Sequence, residues 1–327
     1  MSQDHETLSD ENLHTRKQEQ APLQFELAAG SVPGRRHLGS GNLLSGKNNQ
    51  DAMGFLAKQE CIILTVHDGC GSTPHSEFGA RIGATLLPIV IAEELRNHGA
   101  PKVECKSFWE SVKVKMLERI ESIISLCCPG EMGSEARSNF ARNHFLFTAL
   151  GALLTEELTI VFGIGDGAFA INGKLTTIGP FPDNAPDYLC RSLVSRAEAP
   201  DFVVHARIRT ELLETLVIGT DGMQDLVNAA TKRIPGKARI VGDLDQLFLQ
   251  EFLFSSFESD TVNDSVPLDS LTGWLRQINS EVTKLSFDED QNPIIKRDEG
   301  LLPDDTTLMA LKRSRAPKQL KTVTPNS

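Results

Sequence analysis

Residues 61–72, CIILTVHDGCGS, constrain the fold more than any other stretch of the chain. Cys61 to Val66 form a short apolar run rich in β-branched residues, the pattern of a strand covered on both faces. The run ends at Asp68, and Gly69 and Gly71 follow, so the backbone can turn tightly and bring a carbonyl close to whatever Asp68 holds. A carboxylate at the end of a buried strand is a placed charge. Three other places repeat the arrangement: Asp166 after LTIVFGIG, Asp221 after ETLVIGT, and Asp304 just before TTLMALKR. The functional reading depends on whether these acids converge.

The 327 residues, 40% hydrophobic and 24% charged, can bury a sizeable core. The net charge of -11, from 44 acids against 33 Lys and Arg, argues against a nucleic-acid partner and fits acids that await cations. No apolar run reaches the ~18 residues of a membrane span, since Pro88 and flanking charges interrupt the longest. The N-terminus lacks an apolar signal region, so the expected location is cytoplasmic, with no membrane partner. Cysteines 61, 70, 105, 127, 128 and 190 show no CxxC spacing and read as reduced thiols.

Residues 1–22 read as a disordered polar tail, 23–314 as one domain, and 315–327 as a basic tail, with 228–300 a helical and looped insertion-like segment. QFELAAGS (24–31) is a first strand. DAMGFLA and CIILTVH are spaced as an antiparallel hairpin. A helix is expected over 76–98, capped by Ser76, with Gly99 past its end and a kink at Pro88. A second spans 107–127, with Trp109, Val112, Met116, Ile120, Ile123 and Cys127 on one face. From Phe145 a meander of strands follows, FLFTALGALLT, LTIVFGIGD, GAFAI and KLTTI, the last two joined by the turn pair Asn172-Gly173. After the proline-rich 180–186 and a less clear helical stretch come the strand ETLVIGT, a helix over 268–285 and the strand TTLMALKR. Hairpins and grouped helices make the class α+β with antiparallel sheets.

Two glycine motifs lack the context that would give them meaning. GNLLSGKN (41–48) has P-loop spacing, but Asn48 replaces the Ser or Thr that binds magnesium, and a strand instead of a helix follows. An NTPase is thus a weaker rival. GIGDGA (163–168) matches a dinucleotide fingerprint yet runs into a hairpin, where a helix N-terminus should meet pyrophosphate.

Together, NQDA with Asp51, HDGCG with Asp68, GIGDGAF with Asp166, GTDGMQD with Asp221 and Asp225, and PDDTTL with Asp304 resemble the metal motifs of the PPM (type-2C) serine/threonine protein phosphatases, bacterial branch. The resemblance implies a four-layer α-β-β-α sandwich of two antiparallel sheets flanked by helix pairs. It implies that Asp51, Asp68, Asp221 and Asp304 hold two Mn²⁺ or Mg²⁺ ions and act through metal-bound water, with Asp68 bridging and the Gly69 carbonyl as a further ligand. Asp166 and Asp225 match a third metal site. Hard cations prefer such oxygen donors, and a hydroxide between two of them is a nucleophile beside a neutralised phosphate. The substrate implied is a phosphoprotein, the target of a serine/threonine kinase. Asp305 reads as a supporting residue and Thr307 as fixing its turn.

The chain departs from the family twice. Many members carry an Arg for substrate phosphate where this chain has Gly46; Lys47, Arg35 or Arg36 are the substitutes, without the bidentate clamp. Eukaryotic members place a candidate general acid His where this chain has Cys70, and His67 and His75 are the nearest histidines. The alternative reading is a pseudophosphatase that binds a phosphoprotein without turnover.

Overall fold

The computed structural model describes residues 24–38, 48–129, 133–182, 185–195, 197–243, 269–289 and 291–314. Strands β3 (Ile62–His67) and β4 (Ala149–Leu154) are buried at every residue, as an unbroken apolar run requires. Each must therefore be covered on both faces. They sit inside a five-stranded antiparallel sheet ordered β2-β3-β4-β5-β8, with β2 Ala52–Ala57, β5 Leu158–Ile164 and β8 Val203–Arg209. A second antiparallel sheet is ordered β1-β12-β9-β6-β7, from β1 (Phe25–Val32), β12 (Thr306–Arg313), β9 (Thr215–Gly219), β6 (Gly167–Ile171) and β7 (Lys174–Ile178).

The two sheets pack face to face. Ile62, Leu64 and Leu150 of one meet Phe169, Ile218 and Met309 of the other in a shared apolar layer. A short helix α1 (Arg35–Leu38) follows β1 and another, α5 (Arg191–Val194), precedes β8, while helices α2 (Ser76–His98) and α3 (Lys106–Cys127) cover the outer face of the first sheet, burying Leu87, Ile91, Trp109 and Met116 against Phe162. The Trp109 indole donates to the Val103 carbonyl at 2.8 Å and its ring lies 4.4 Å from that of Phe162. Helices α6 (Gly222–Asn228) and α7 (Asp269–Ile278) cover the second sheet, where Leu226, Leu271 and Trp274 pack on Val217 and Leu308. The layers are α-β-β-α, as the resemblance implies.

Several local expectations shift. Ser76 is the first residue of α2, not its cap; His75 precedes the helix and Gly99 closes it. On α3 the buried stripe continues to Ile124, and Cys127 faces solvent while Cys128 is buried, because 3.6 residues per turn carry the face past position 127. The helix expected to reach residue 285 ends at Ile278, and a two-stranded hairpin follows, β10 (Val282–Phe287) and β11 (Pro293–Asp298). The stretch read as unclear and helical contains the edge strand β8, and helix α4 (Gly133–His144) had no counterpart in the sequence pattern. Asn172 and Gly173 do turn the β6–β7 hairpin, with φ of 49° and 80°, as a two-residue turn of positive φ requires. The glycines of GIGDGA join two strands: Gly165 at φ 90° and Gly167 at 140° are the corner between β5 and β6. All six cysteines are free. Residues 1–22, 39–47, 244–268 and 315–327 lie outside the described residues, and with them most of the P-loop-like stretch.

Candidate active site

Antiparallel pairing brings the acids to one end of both sheets. Ala52 pairs with His67, so Asp51 and Asp68 flank the last rung of the β2–β3 ladder. Gly219 pairs with Leu308, which sets Asp221, just past β9, beside Asp304, just before β12. One hydroxyl joins the two pairs. Thr220 Oγ1 donates to Asp51 Oδ2 at 2.7 Å and accepts from the Thr307 amide at 3.1 Å. Thr307 Oγ1 lies 2.6 Å from Ser31 Oγ, and Asn49 Nδ2 donates to that Ser31 oxygen at 2.7 Å, so Thr307 does fix this corner.

Asp305 supports the site from behind. Its buried carboxylate accepts from the amides of Gly34 at 2.7 Å and Gln50 at 2.6 Å, and lies 2.8 Å from His37 Nδ1. Three segments distant in sequence are thereby tied beside Asp304 and Asp51. Gly222, the first residue of α6, packs so tightly on the Asp305 carbonyl and Thr306 that a Cβ has no space there.

The acids border a cavity of about 560 Å³ lined by Asp68, Gly69, Cys70, Asp166, Tyr188 and Asp221, with Asp304 and Arg36 at its edge. Asp51 is buried beneath it, and Asp225, one helical turn along α6, lies near enough to act on Asp221. Burial, and then the charges of Asp221, Asp51, Asp166 and Asp304, hold the Asp68 carboxyl well above the usual carboxylate range. Burial and Asp305 raise Asp51 against the Thr220 hydrogen bond. Burial and then Asp304 raise Asp221 to about 7, and the same two causes raise Asp166 and Asp225. So many carboxylates cannot ionise together without positive charge among them.

Asp51 Oδ1 and Asp166 Oδ1 are buried without a hydrogen-bond partner, which is costly for a carboxylate unless a cation completes it. The donor set of carboxylates with the nearby Gly69 backbone is that of a hard divalent cation. These residues fit such ions chemically. Among the described residues, no three His, Cys, Asp or Glu side chains are already closed around one point to hold an ion.

The model of the protein phosphatase 2C family matches residues 38–275. The chain belongs to the protein phosphatase 2C family. Asp304 lies beyond the matched residues and joins the site through β12. No curated protein matches the chain. Among solved structures, the serine/threonine phosphatase Stp1 from Staphylococcus aureus is 12% identical, with 96% of this chain and 100% of that one covered and a TM-score of 0.45. The S. agalactiae serine/threonine phosphatase is 12% identical, covering 89% and 100%, with a TM-score of 0.45. RsbX in complex with magnesium is 12% identical over 90% and 98%, with a TM-score of 0.35.

Within this member of the family, Arg36 stands at the cavity rim with Nη1 3.4 Å from Asp304 Oδ2 and most of its side chain in solvent. Arg35 points away to Glu299, at 2.9 Å. Gly46 and Lys47 lie outside the described residues. His67 is fully buried, edge-on to Phe147, with Nδ1 3.2 Å from the Thr148 carbonyl, and burial lowers its pKa to about 3. It is a neutral core residue. His75 stacks on His144 with centroids 5.0 Å apart, and neither ring lines the cavity. Cys70 does line it, beside Tyr188, a residue that sequence reasoning missed. Tyr188 is the only tyrosine of the chain and follows a proline-rich connection that carries no motif. Burial and the contact with Cys70 push its hydroxyl far above the usual range, so it stays protonated and able to donate.

Proposed function

We propose that this chain hydrolyses phosphoserine or phosphothreonine on proteins at the cavity bordered by Asp68, Asp221 and Asp304, with two or three Mn²⁺ or Mg²⁺ ions. The observation that carries the reading is the gathering of Asp68, Asp166, Asp221 and Asp304 at one cavity, with Asp51 and Asp225 close by and buried carboxylate oxygens of Asp51 and Asp166 left unpartnered. In this reading Asp51, Asp68, Asp221, Asp304 and the Gly69 carbonyl hold the principal pair of ions, and Asp166 and Asp225 the third. When bound, the ions supply activation of water and neutralisation of the phosphoryl charge. The chain's own groups orient the reaction. Thr220 fixes the Asp51 carboxylate, Asp305 anchors the loop that carries Asp304, and Arg36 presents a cation at the rim for a substrate phosphoryl oxygen. Tyr188 keeps a proton-bearing hydroxyl beside the cavity. Residues 23–314 act as one phosphatase domain, and the substrates are targets of a serine/threonine kinase.

The test is phosphate release from a phosphothreonine peptide and an aryl phosphate, with and without Mn²⁺ or Mg²⁺. Release is expected only with metal, and Asp68→Asn is expected to lower kcat by more than ~100-fold, since loss of even an outer-shell partner of a metal ligand costs ~10–100-fold. Inactive metal-replete protein, or activity indifferent to Asp68→Asn, would sink the reading.

A further inference from the structure

The β10–β11 hairpin and the loop after α6 enclose a second concave region, apart from the carboxylate cavity. Arg233, Lys237, Lys284 and Arg297 line a cavity of about 470 Å³ together with Asp298 and Glu299. A neighbouring cavity of about 450 Å³ shares Pro235 and Lys237 with it and adds Arg276. The two form one basic groove. Its acids are already engaged: Asp298 Oδ2 lies 3.6 Å from Lys284 Nζ and accepts from the Gly236 amide at 3.4 Å, while Glu299 pairs with Arg35. Arg297 reaches Glu281 only at 4.0 Å. Arg233, Lys237 and Arg276 are exposed and have no ion pair among the described residues. Such a local excess of positive charge runs against a chain whose net charge is -11.

One ion pair and one peptide bond link the lining of the groove to that of the carboxylate cavity. Glu299 lines the groove and holds Arg35; the next residue, Arg36, lines the cavity beside Asp304. Clustered cations of this kind select anionic segments and speed their encounter more than they add raw affinity.

We propose that the groove between the 233–237 loop and the β10–β11 hairpin docks an acidic segment of the phosphoprotein substrate, flanking the phosphorylated residue. The proposal rests on the phosphatase reading above and adds the class of sequence that the enzyme prefers. Two phosphothreonine peptides, identical except that one carries a run of Asp and Glu on one flank, are compared on the full chain with Mn²⁺, with each flank tried. The acidic peptide is expected to show a kcat/KM roughly tenfold higher, mainly through KM, and the preference should shrink as salt rises. The double variant Arg233→Glu with Lys237→Glu should erase the preference and leave turnover of an aryl phosphate unchanged. Equal kcat/KM for the two peptides, or a preference that the variant retains, overturns the proposal.

Binding separates the two ideas. A fluorescent acidic peptide without phosphate should bind wild type roughly tenfold more tightly than the variant by anisotropy. Equal binding overturns the groove whatever the enzyme does. If neither peptide nor aryl phosphate turns over while binding still distinguishes the variant, the phosphatase reading fails and the acidic docking site stands. An oligonucleotide of equal charge that binds as tightly as the peptide overturns the peptide assignment.

Discussion

Thr220 carries more of the site than its size suggests, because its hydroxyl both fixes Asp51 and accepts from the Thr307 amide. Thr220→Val keeps the shape but strands a carboxylate oxygen and an amide, each buried. The expected cost is ~1–3 kcal/mol of stability by urea titration, with Mn²⁺ affinity by calorimetry weakened ~10–100-fold. A pH dependence follows from the acids themselves. Burial and neighbouring charge raise Asp221 from its ordinary 3.8 to about 7 in the metal-free fold, so between those values the folded chain binds more protons than the unfolded chain. Stability must then fall as pH rises through that window. His67, held down near 3 by burial, works in the opposite sense below its ordinary 6.5, but it is opposed by the raised Asp51, Asp68, Asp166, Asp221, Asp225 and Asp305. Thermal unfolding of chelator-treated protein should show a Tm that declines from pH 5 to pH 8, and Mn²⁺ should restore it most at the upper end.

The elements divide by how their residues announce them. Strand ends at Asp68, Asp166 and Asp221 were legible because an apolar β-branched run followed by Asp and Gly leaves few options; Asp51 and Asp304 precede their strands, and the grouping of all five came from the resemblance to a family's motifs. Helix α4 was not legible: only Ala141 of its twelve residues is buried, so it lacks an apolar stripe. β8 is an edge strand with no fully buried residue, and β10 was absorbed into a helix because Trp274, Leu275 and Ile278 set a helical period just before it. Partnerships such as Asp305 with Gly34, Gln50 and His37 were out of reach, since spacing carries no information about groups so far apart in sequence. The start of α6 belongs to this scale. Gly222→Ala would force the helix away from Asp305 and Thr306, so it should destabilise by ~1–3 kcal/mol in urea unfolding and weaken Mn²⁺ binding, with Gly222→Val worse in both.

For the whole molecule, the shared layer between the sheets is what makes the site possible, because Asp51 and Asp68 hang from one sheet and Asp221 and Asp304 from the other. Leu150 lies in that layer, fully buried, and also touches the Gly167 corner beside Asp166. Leu150→Ala should cost ~2–5 kcal/mol in denaturant unfolding, and the loss should appear in a single transition because both sheets lose the same contact. Among the described residues no helix is long and apolar enough to cross a membrane. The two tryptophans of the chain fall on opposite outer layers, Trp109 against Phe162 under α3 and Trp274 in α7 on the other sheet. Each layer therefore carries its own intrinsic fluorophore: Trp109→Phe leaves emission from the α7 side alone, Trp274→Phe from the α3 side alone, and the pair of variants turns the molecule into its own two-channel reporter of whether its halves part together.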